Sequence, residues 1–248
     1  MTAPVFVVEG PVPDGCSYVL DGPEGRHAVS VKRLRAGESL VLTDGHGTWS
    51  EGVVTAAEGK DRLVVEAGPV RTEPVERPRI TVVQALPKGD RGELAVETMT
   101  ETGVDAIVPW AASRCITQWR GERGTKALNK WRATAREAGK QSRRVRFPEV
   151  AQAASTKEVA TLLAGARLAA VLHEDRDAAS AALASAPLPA DGEIVLVVGP
   201  EGGVSPEELA VFAQAGARPF RLGRSVLRTS TAGTAAVALL LGRTGRWG

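Results

Sequence analysis

The sequence predicts an α/β protein: a mainly parallel sheet covered on both faces by helices, with a small β-barrel before it. Three observations carry this. Short runs rich in valine and leucine, separated by turn residues, recur through residues 1 to about 70. A charge-alternating stretch with two prolines, "VRTEPVERPR" (70–79), then reads as a linker. After it, apolar strands alternate with helical segments, the pattern of a parallel sheet.

The expected strands of the first part are "VFVVE" (5–9), "SYVL" (17–20), "SLVLTD" (39–44), "TWSEGVV" (48–54) and "RLVVEA" (62–67). Asp44-Gly45-His46-Gly47 is a hairpin signal. "RHAVSVKRLRAG" (26–37) reads as a helical turn carrying Arg26, Lys32, Arg33 and Arg35. In the second part "ITVVQAL" (80–86) and "AIVPW" (106–110) are strands flanking a helix, "GELAVETMTETG" (92–103), that Gly103 ends. A long basic helix is expected over about 125–142, and further strands at "LAAVL" (168–172), "IVLVV" (194–198) and "PFRL" (219–222).

A chain of 248 residues suits one large domain or two small ones. Its 43% apolar and 24% charged content is ordinary for a soluble globular protein. The net charge of +2 does not by itself point to nucleic acid. Cys16 and Cys115 lie far apart, as do His27, His46 and His173, so neither a disulfide scaffold nor a metal site is expected. The N-terminus lacks a basic start followed by an apolar core, and "AAVALLLG" is too short to span a bilayer. The chain is therefore expected in the cytoplasm.

"VLVVGPEGGVSPEE" (195–208) is a strand, a glycine loop and a capped helix. Ser205 is placed as N-cap, Pro206 as first helical residue and Glu208 as the N3 member of a capping box. Leu209, Phe212, Ala213 and Gly216 are expected on the face that packs on the sheet. Neither GxxxxGK[ST] nor GxGxxG is present. Glu201, Glu207 and Glu208 would repel a phosphate and already occupy the positive end of the helix dipole. A ligand that is neutral or cationic at this loop fits better, such as a purine edge, a hydroxyl or a sulfonium. The plain alternative is a tight turn whose glycines only permit positive φ. Further on, "RLGRSVLRTSTAGTAAVALLLG" (221–242) is a strand, a loop and a helix, with Thr229, Ser230 and Thr231 available as N-caps. Ala235 to Leu241 is apolar nearly all round, which calls for cover on more than one side and so for a second subunit.

"GPEGGVSPEE" followed by "LGRSVLRTSTA" resembles the SPOUT methyltransferases, and within them the ribosomal RNA small-subunit methyltransferase E family. The likeness covers essentially the whole chain: "RHAVSVKRLRAGE", "PKGDR" (87–91), "SRC" (113–115) and "EAGKQSRRVRFPEV" (137–150) fall in the family's order. It implies a PUA-like RNA-binding β-barrel over 1–72 and a SPOUT domain over 73–248 with a C-terminal trefoil knot, an exception to the unknotted rule. It implies a homodimer that binds S-adenosylmethionine in the knot and methylates N3 of one uridine in 16S ribosomal RNA of the small ribosomal subunit. Carried over by position, the cofactor loops are Leu172, His173 and Glu174; Gly199, Pro200, Glu201, Gly202 and Gly203; and Leu222, Gly223, Val226, Leu227 and Arg228. Three departures stand out: Ser230 replaces a frequent glutamate, Thr98 a lysine, and "VKR" (31–33) the usual "VLR".

From Arg114 to Arg146 there are eleven Lys or Arg against Glu122 and Glu137 alone, with Trp119 and Trp131 interleaved. A solvated helix face is the bland reading. Concentrated positive charge in a nearly neutral chain instead suggests phosphate contacts, and the tryptophans either stack on bases or pack in the core. The expected RNA-binding residues are Arg26, Lys32, Arg33, Arg35, Lys88, Arg91, Arg114, Arg143 and Arg144. Methyl transfer needs no metal, only in-line placement and loss of the uracil N3 proton. Arg228 is the candidate for holding the uracil anion. Glu201 and His173 are candidate bases, with a hydroxide or solvent route left open. Ribose 2′-O-methylation on the same fold, or a non-catalytic RNA-binding assembly factor, are the alternatives.

Overall fold

The computed structural model describes residues 3–174 and 181–248. The chain forms two compact units. The first takes the residues up to Val75 together with Arg136–Phe147; the second takes Glu76–Ala135 and Pro148–Gly248.

The first unit is a sheet of β1 (Val5–Val7), β2 (Ser17–Leu20), β3 (Ser39–Thr43), β4 (Thr48–Glu58), β5 (Arg62–Ala67) and β6 (Arg71–Thr72). Its order is β1-β3-β4-β5-β2, with β6 paired to β4. Strand β4 runs past the expected end at 54, because a register shift between Val54 and Ala56 lets it continue along β5. Alternation sets the core: Leu63, Val65 and Ala67 point inward to join Phe6, Leu40, Leu42 and Val54. Helix α1 (Gly22–Arg26) runs on into a wider helical turn, His27–Val31, and Arg26, Lys32, Arg33 and Arg35 are exposed around it. Residues 136–147 complete this unit. The Phe147 amide donates to the Gly45 carbonyl at 2.8 Å, and Val145 accepts from the Gly47 amide at 3.0 Å and the Thr43 hydroxyl at 2.9 Å.

The second unit holds β7 (Arg79–Ala85), β8 (Ala106–Trp110), β9 (Glu149–Val150), β10 (Leu168–Leu172), β11 (Ala181–Ala182), β12 (Glu193–Val198) and β13 (Arg218–Arg221). The order is β11-β13-β10-β12-β7-β8-β9, and every pairing is parallel. Ile194–Val198 are all buried, as a central strand covered on both faces requires. The expected α/β fold with a parallel sheet is observed. Its helices are α2 (Arg91–Thr102), which Gly103 ends at φ 116°, α4 (Thr156–Gly165), α5 (Pro206–Gln214) and α6 (Thr229–Arg243). Between them α3 (Gly121–Gln141) starts in this unit, and its residues from Arg136 belong to the first.

Two local expectations need correction. On α5 the buried residues are Glu208 and Phe212, with Leu209 half-buried and Ala213 exposed; Gly216 is exposed beyond the helix end, which Ala215 caps. The stripe is set by Phe212, which packs on Trp110 with ring centroids 5.3 Å apart. On α6 the N-cap is Arg228, not Thr229, Ser230 or Thr231. The Thr229 hydroxyl is engaged elsewhere, donating to Gly199, and Ser230 is buried.

Candidate active site

Strands β13, β10 and β12 are neighbours, and their carboxyl ends release three loops on the same edge of the sheet. Such edges gather ligands in open α/β sheets. Leu172, His173 and Glu174 follow β10, Gly199–Gly203 follow β12, and Leu222–Arg228 follow β13. All of these line one cavity of about 460 Å³. Thus the structure brings Leu172, His173, Glu174, Gly199, Pro200, Glu201, Gly202, Gly203, Leu222, Gly223, Val226, Leu227 and Arg228 together.

The glycine loop is shaped by close approach. A Cβ on Gly199 would lie 2.9 Å from Val204 Cγ2, inside van der Waals contact. Gly203 sits at φ 73°, where side chains are strained. Beyond the loop, Ser205 and Glu208 form the expected capping box. Glu208 does more than cap. It is 5% exposed, and its carboxylate accepts from the Ser113 amide at 2.7 Å and the Thr156 hydroxyl at 3.1 Å as well as the Ser205 amide at 3.1 Å. Next to Ser113, Arg114 donates through Nη1 to the Gly202 carbonyl at 3.0 Å. Glu201 accepts from the Lys88 amide at 3.2 Å, and Arg91 Nη1 lies 4.0 Å from it. So Lys88, Arg91 and Arg114 all flank the glycine loop, and Arg91 lines the cavity itself.

His173 is half-buried and its amide donates to Phe220 at 3.0 Å. Arg228 has an exposed side chain, while its carbonyl is fixed by the amides of Thr231 and Ala232 in the first turn of α6. The cavity lip carries exposed apolar residues, Val226 at 71% and Leu227 at 39%. Backbone polar groups and an apolar lip, with Glu201 beside them, suit a flat heterocycle joined to a cationic centre, as in S-adenosylmethionine. Burial pushes the Cys115 thiol up, so it is a protonated, inert thiol at neutral pH.

Of the expected RNA-binding residues in the first unit, Arg26, Lys32, Arg33 and Arg35 are exposed, and Arg143 and Arg144 are half-buried. Arg143 takes φ 63° and its Nη1 donates to the Lys140 carbonyl at 3.1 Å. The basic run is not uniformly free of acids. Lys140 is 4% exposed and bonds Glu24 at 2.9 Å, and Arg136 meets the same carboxylate at 3.2 Å. Trp131 is buried and Trp119 packs edge-on against it at 5.0 Å, so the core reading holds for this pair. Sequence reasoning missed Gln84, Thr229, Phe220 and Ala232; all but Gln84 line the cavity, as do Arg224 and Ser225 of the expected Leu222–Arg228 loop. The glycine spacing at 199–203 and the hydroxyl run at 229–231 were signals for some of these; nothing local marked Gln84.

Known proteins give the same picture. The RNA methyltransferase domain model matches residues 75–241 and the RNA methyltransferase PUA domain model residues 20–67. The chain is 44% identical to the ribosomal RNA small subunit methyltransferase E of Mycobacterium tuberculosis, over 100% of this chain and 94% of that protein. It is similar in structure to the Neisseria gonorrhoeae ribosomal RNA small subunit methyltransferase E bound to S-adenosyl methionine, with TM-score 0.83, 28% identity and 98% of each chain covered. A methyltransferase from Legionella pneumophila in complex with the cofactor SAM is equally similar, with TM-score 0.83, 28% identity and 98% of each chain covered. With glycine loop, cavity and both domain models in agreement, the chain belongs to the ribosomal RNA small subunit methyltransferase E family.

Proposed function

We propose that this chain methylates N3 of one uridine in the 16S ribosomal RNA of the small subunit, using S-adenosylmethionine. The observation that carries the reading is the convergence of three loops from adjacent parallel strands on one cavity. When bound there, S-adenosylmethionine supplies an electrophilic methyl group on a sulfonium.

The chain's own residues do the rest. The loops at Leu172–Glu174, Gly199–Gly203 and Leu222–Arg228 hold the cofactor, and the exposed Val226 and Leu227 cover an apolar face. Uracil N3 must lose its proton, because only the anion presents an in-plane lone pair. Arg228 meets the charge that develops on uracil O2 or O4. Glu201 is the candidate base; its position is set by the Lys88 amide and the nearby Arg91. The target base must be unstacked to enter. Lys88, Arg91 and Arg114 in the second unit, and Arg26, Lys32, Arg33, Arg35, Arg143 and Arg144 in the first, contact RNA phosphate.

The division of labour follows the family. Residues 1–72 act as a PUA-like β-barrel that holds RNA, and residues 73–248 as the SPOUT methyltransferase domain, knotted around the cofactor. The enzyme works as a homodimer in the cytoplasm. No helix among the described residues is long and apolar enough to cross a membrane. The test is nucleoside analysis of small subunits from a deletion strain. Loss of 3-methyluridine, restored by this chain, supports the reading. Loss of a ribose methyl mark, or no lost mark at all, overturns it.

A further inference from the structure

We propose that Gln84 and Thr229 are positioning residues. Together they form a buried relay that fixes the Gly199 carbonyl and the root of α6, and so sets the spacing between the glycine loop and Arg228. The inference rests on reading the cavity as the S-adenosylmethionine site.

Gln84 lies on β7 directly beside Val198, the last residue of β12. Its side chain is fully buried, at 0% exposure. Nε2 donates to the Ala85 carbonyl at 3.1 Å and to the Thr229 hydroxyl at 3.0 Å. A backbone carbonyl only accepts, so the nitrogen and not the oxygen of the amide must face Ala85. That fixes the amide's orientation. The Thr229 hydroxyl is then an acceptor toward Gln84. Its single proton goes to the Gly199 carbonyl, 2.9 Å away. The donor chain therefore runs one way, from Gln84 through Thr229 to Gly199.

Both ends of this chain sit where the cavity needs them. The peptide between Gly199 and Pro200 has no N–H, so the Gly199 carbonyl is its sole polar anchor. Thr229 immediately follows Arg228 and opens α6. One hydroxyl thus ties the loop after β12 to the loop after β13. The arrangement carries a cost: Gln84 Oε1 is buried with no partner among the described residues. An aliphatic side chain of similar size would avoid that cost, as unsatisfied buried acceptors are unfavourable. Gln84 therefore serves geometry rather than stability.

The test uses the full chain and four variants: Gln84→Met, Gln84→Glu, Thr229→Val and Thr229→Ser. Melting temperature, S-adenosylmethionine affinity by calorimetry, and single-turnover methylation of unmethylated small subunits are measured. Thr229→Val should weaken cofactor binding about tenfold, the loss of one hydrogen bond, while Thr229→Ser stays within about twofold of wild type. Gln84→Met should lose affinity similarly yet melt no lower than wild type. Gln84→Glu cannot donate to Thr229 when ionised, so the hydroxyl turns toward the carboxylate and binding falls. The proposal is overturned if Thr229→Val binds and reacts normally, or if Gln84→Met fails to fold or melts lower, since packing would then be its role. If wild type itself fails to bind S-adenosylmethionine, the reading of the cavity falls first and the relay with it; a wild type that binds while the variants bind equally well sinks the relay alone.

Discussion

Arg114 crosses Gly202: its Nη1 donates to the Gly202 carbonyl at 3.0 Å, and a Cβ on Gly202 would lie 3.4 Å from the Arg114 Cβ. The glycine loop is thus braced from outside the cavity by a residue nearly ninety positions earlier. Arg114→Ala should weaken S-adenosylmethionine binding about three- to tenfold, the range for one hydrogen bond. Glu208→Gln should produce a smaller effect in the same direction, because Glu208 holds the Ser113 amide next door. Calorimetry with the cofactor measures both; an unchanged affinity in Arg114→Ala confines that side chain to RNA.

Arg228 gives the sharpest kinetic expectation. In the proposed reaction a cation would not help a sulfonium but would meet the charge that develops on uracil in the transition state. Such an interaction raises turnover more than ground-state binding. Arg228→Ala should cut single-turnover methylation by about two to three orders of magnitude, with cofactor affinity changed by less than about tenfold. Arg228→Lys should recover only part, since a point charge lacks the planar fork. Normal methylation by the alanine variant at saturating cofactor and RNA would make Arg228 a binding or structural residue.

How much of this was legible in the sequence depends on the reach of each interaction. The capping box of Ser205 and Glu208 spans four residues and was read directly. So were the strands at 168–172 and 194–198, whose unbroken apolar runs need no partner to interpret. The buried role of Glu208 was not legible, because its partners Ser113 and Thr156 lie far back in the chain. Ala213 and Gly216 were misplaced for a related reason: helical spacing allows several faces, and contact with Trp110 selects the one through Phe212. Gln84 looked like one polar residue in an apolar strand, and only folding brings Thr229 to it. The pairing of Lys140 with Glu24 across the sequence likewise hid one of the basic run's acids.

Helix α6 bears on assembly. Ala236, Val237, Leu240 and Leu241 are buried within the chain, while Ala235 is exposed and Ala238 and Leu239 are half-buried. In the proposed homodimer those latter residues form the seam. Leu239→Glu should release monomers with weakened cofactor binding. Sedimentation velocity at micromolar concentration checks it, and a wild type that sediments as a monomer rejects the dimer.

Arg246 supplies a stability expectation. It bonds Asp105 through Nη1 at 2.7 Å and Nη2 at 3.1 Å, and Glu76 through Nε at 2.7 Å. The Arg246 and Asp105 side chains are each only 9% exposed. Arg246→Ala leaves the Asp105 charge buried without its partner and should cost about 3–5 kcal/mol. Urea denaturation measures this. A loss under about 1 kcal/mol would mean that water reaches Asp105 freely.

The first unit has a consequence for how the protein is made. Its strands are all made by residue 75, yet Val145 and Phe147 satisfy the Thr43 hydroxyl, the Gly45 carbonyl and the Gly47 amide, and Lys140 neutralises Glu24. Those later residues leave the ribosome several seconds afterwards, at roughly 5–20 residues per second. Until then the nascent sheet lacks the bonds that Val145 and Phe147 make, and Glu24 lacks Lys140. The first unit is therefore completed only by a segment made after more than half of the chain, so its last hydrogen bonds cannot form while its own strands are being synthesised.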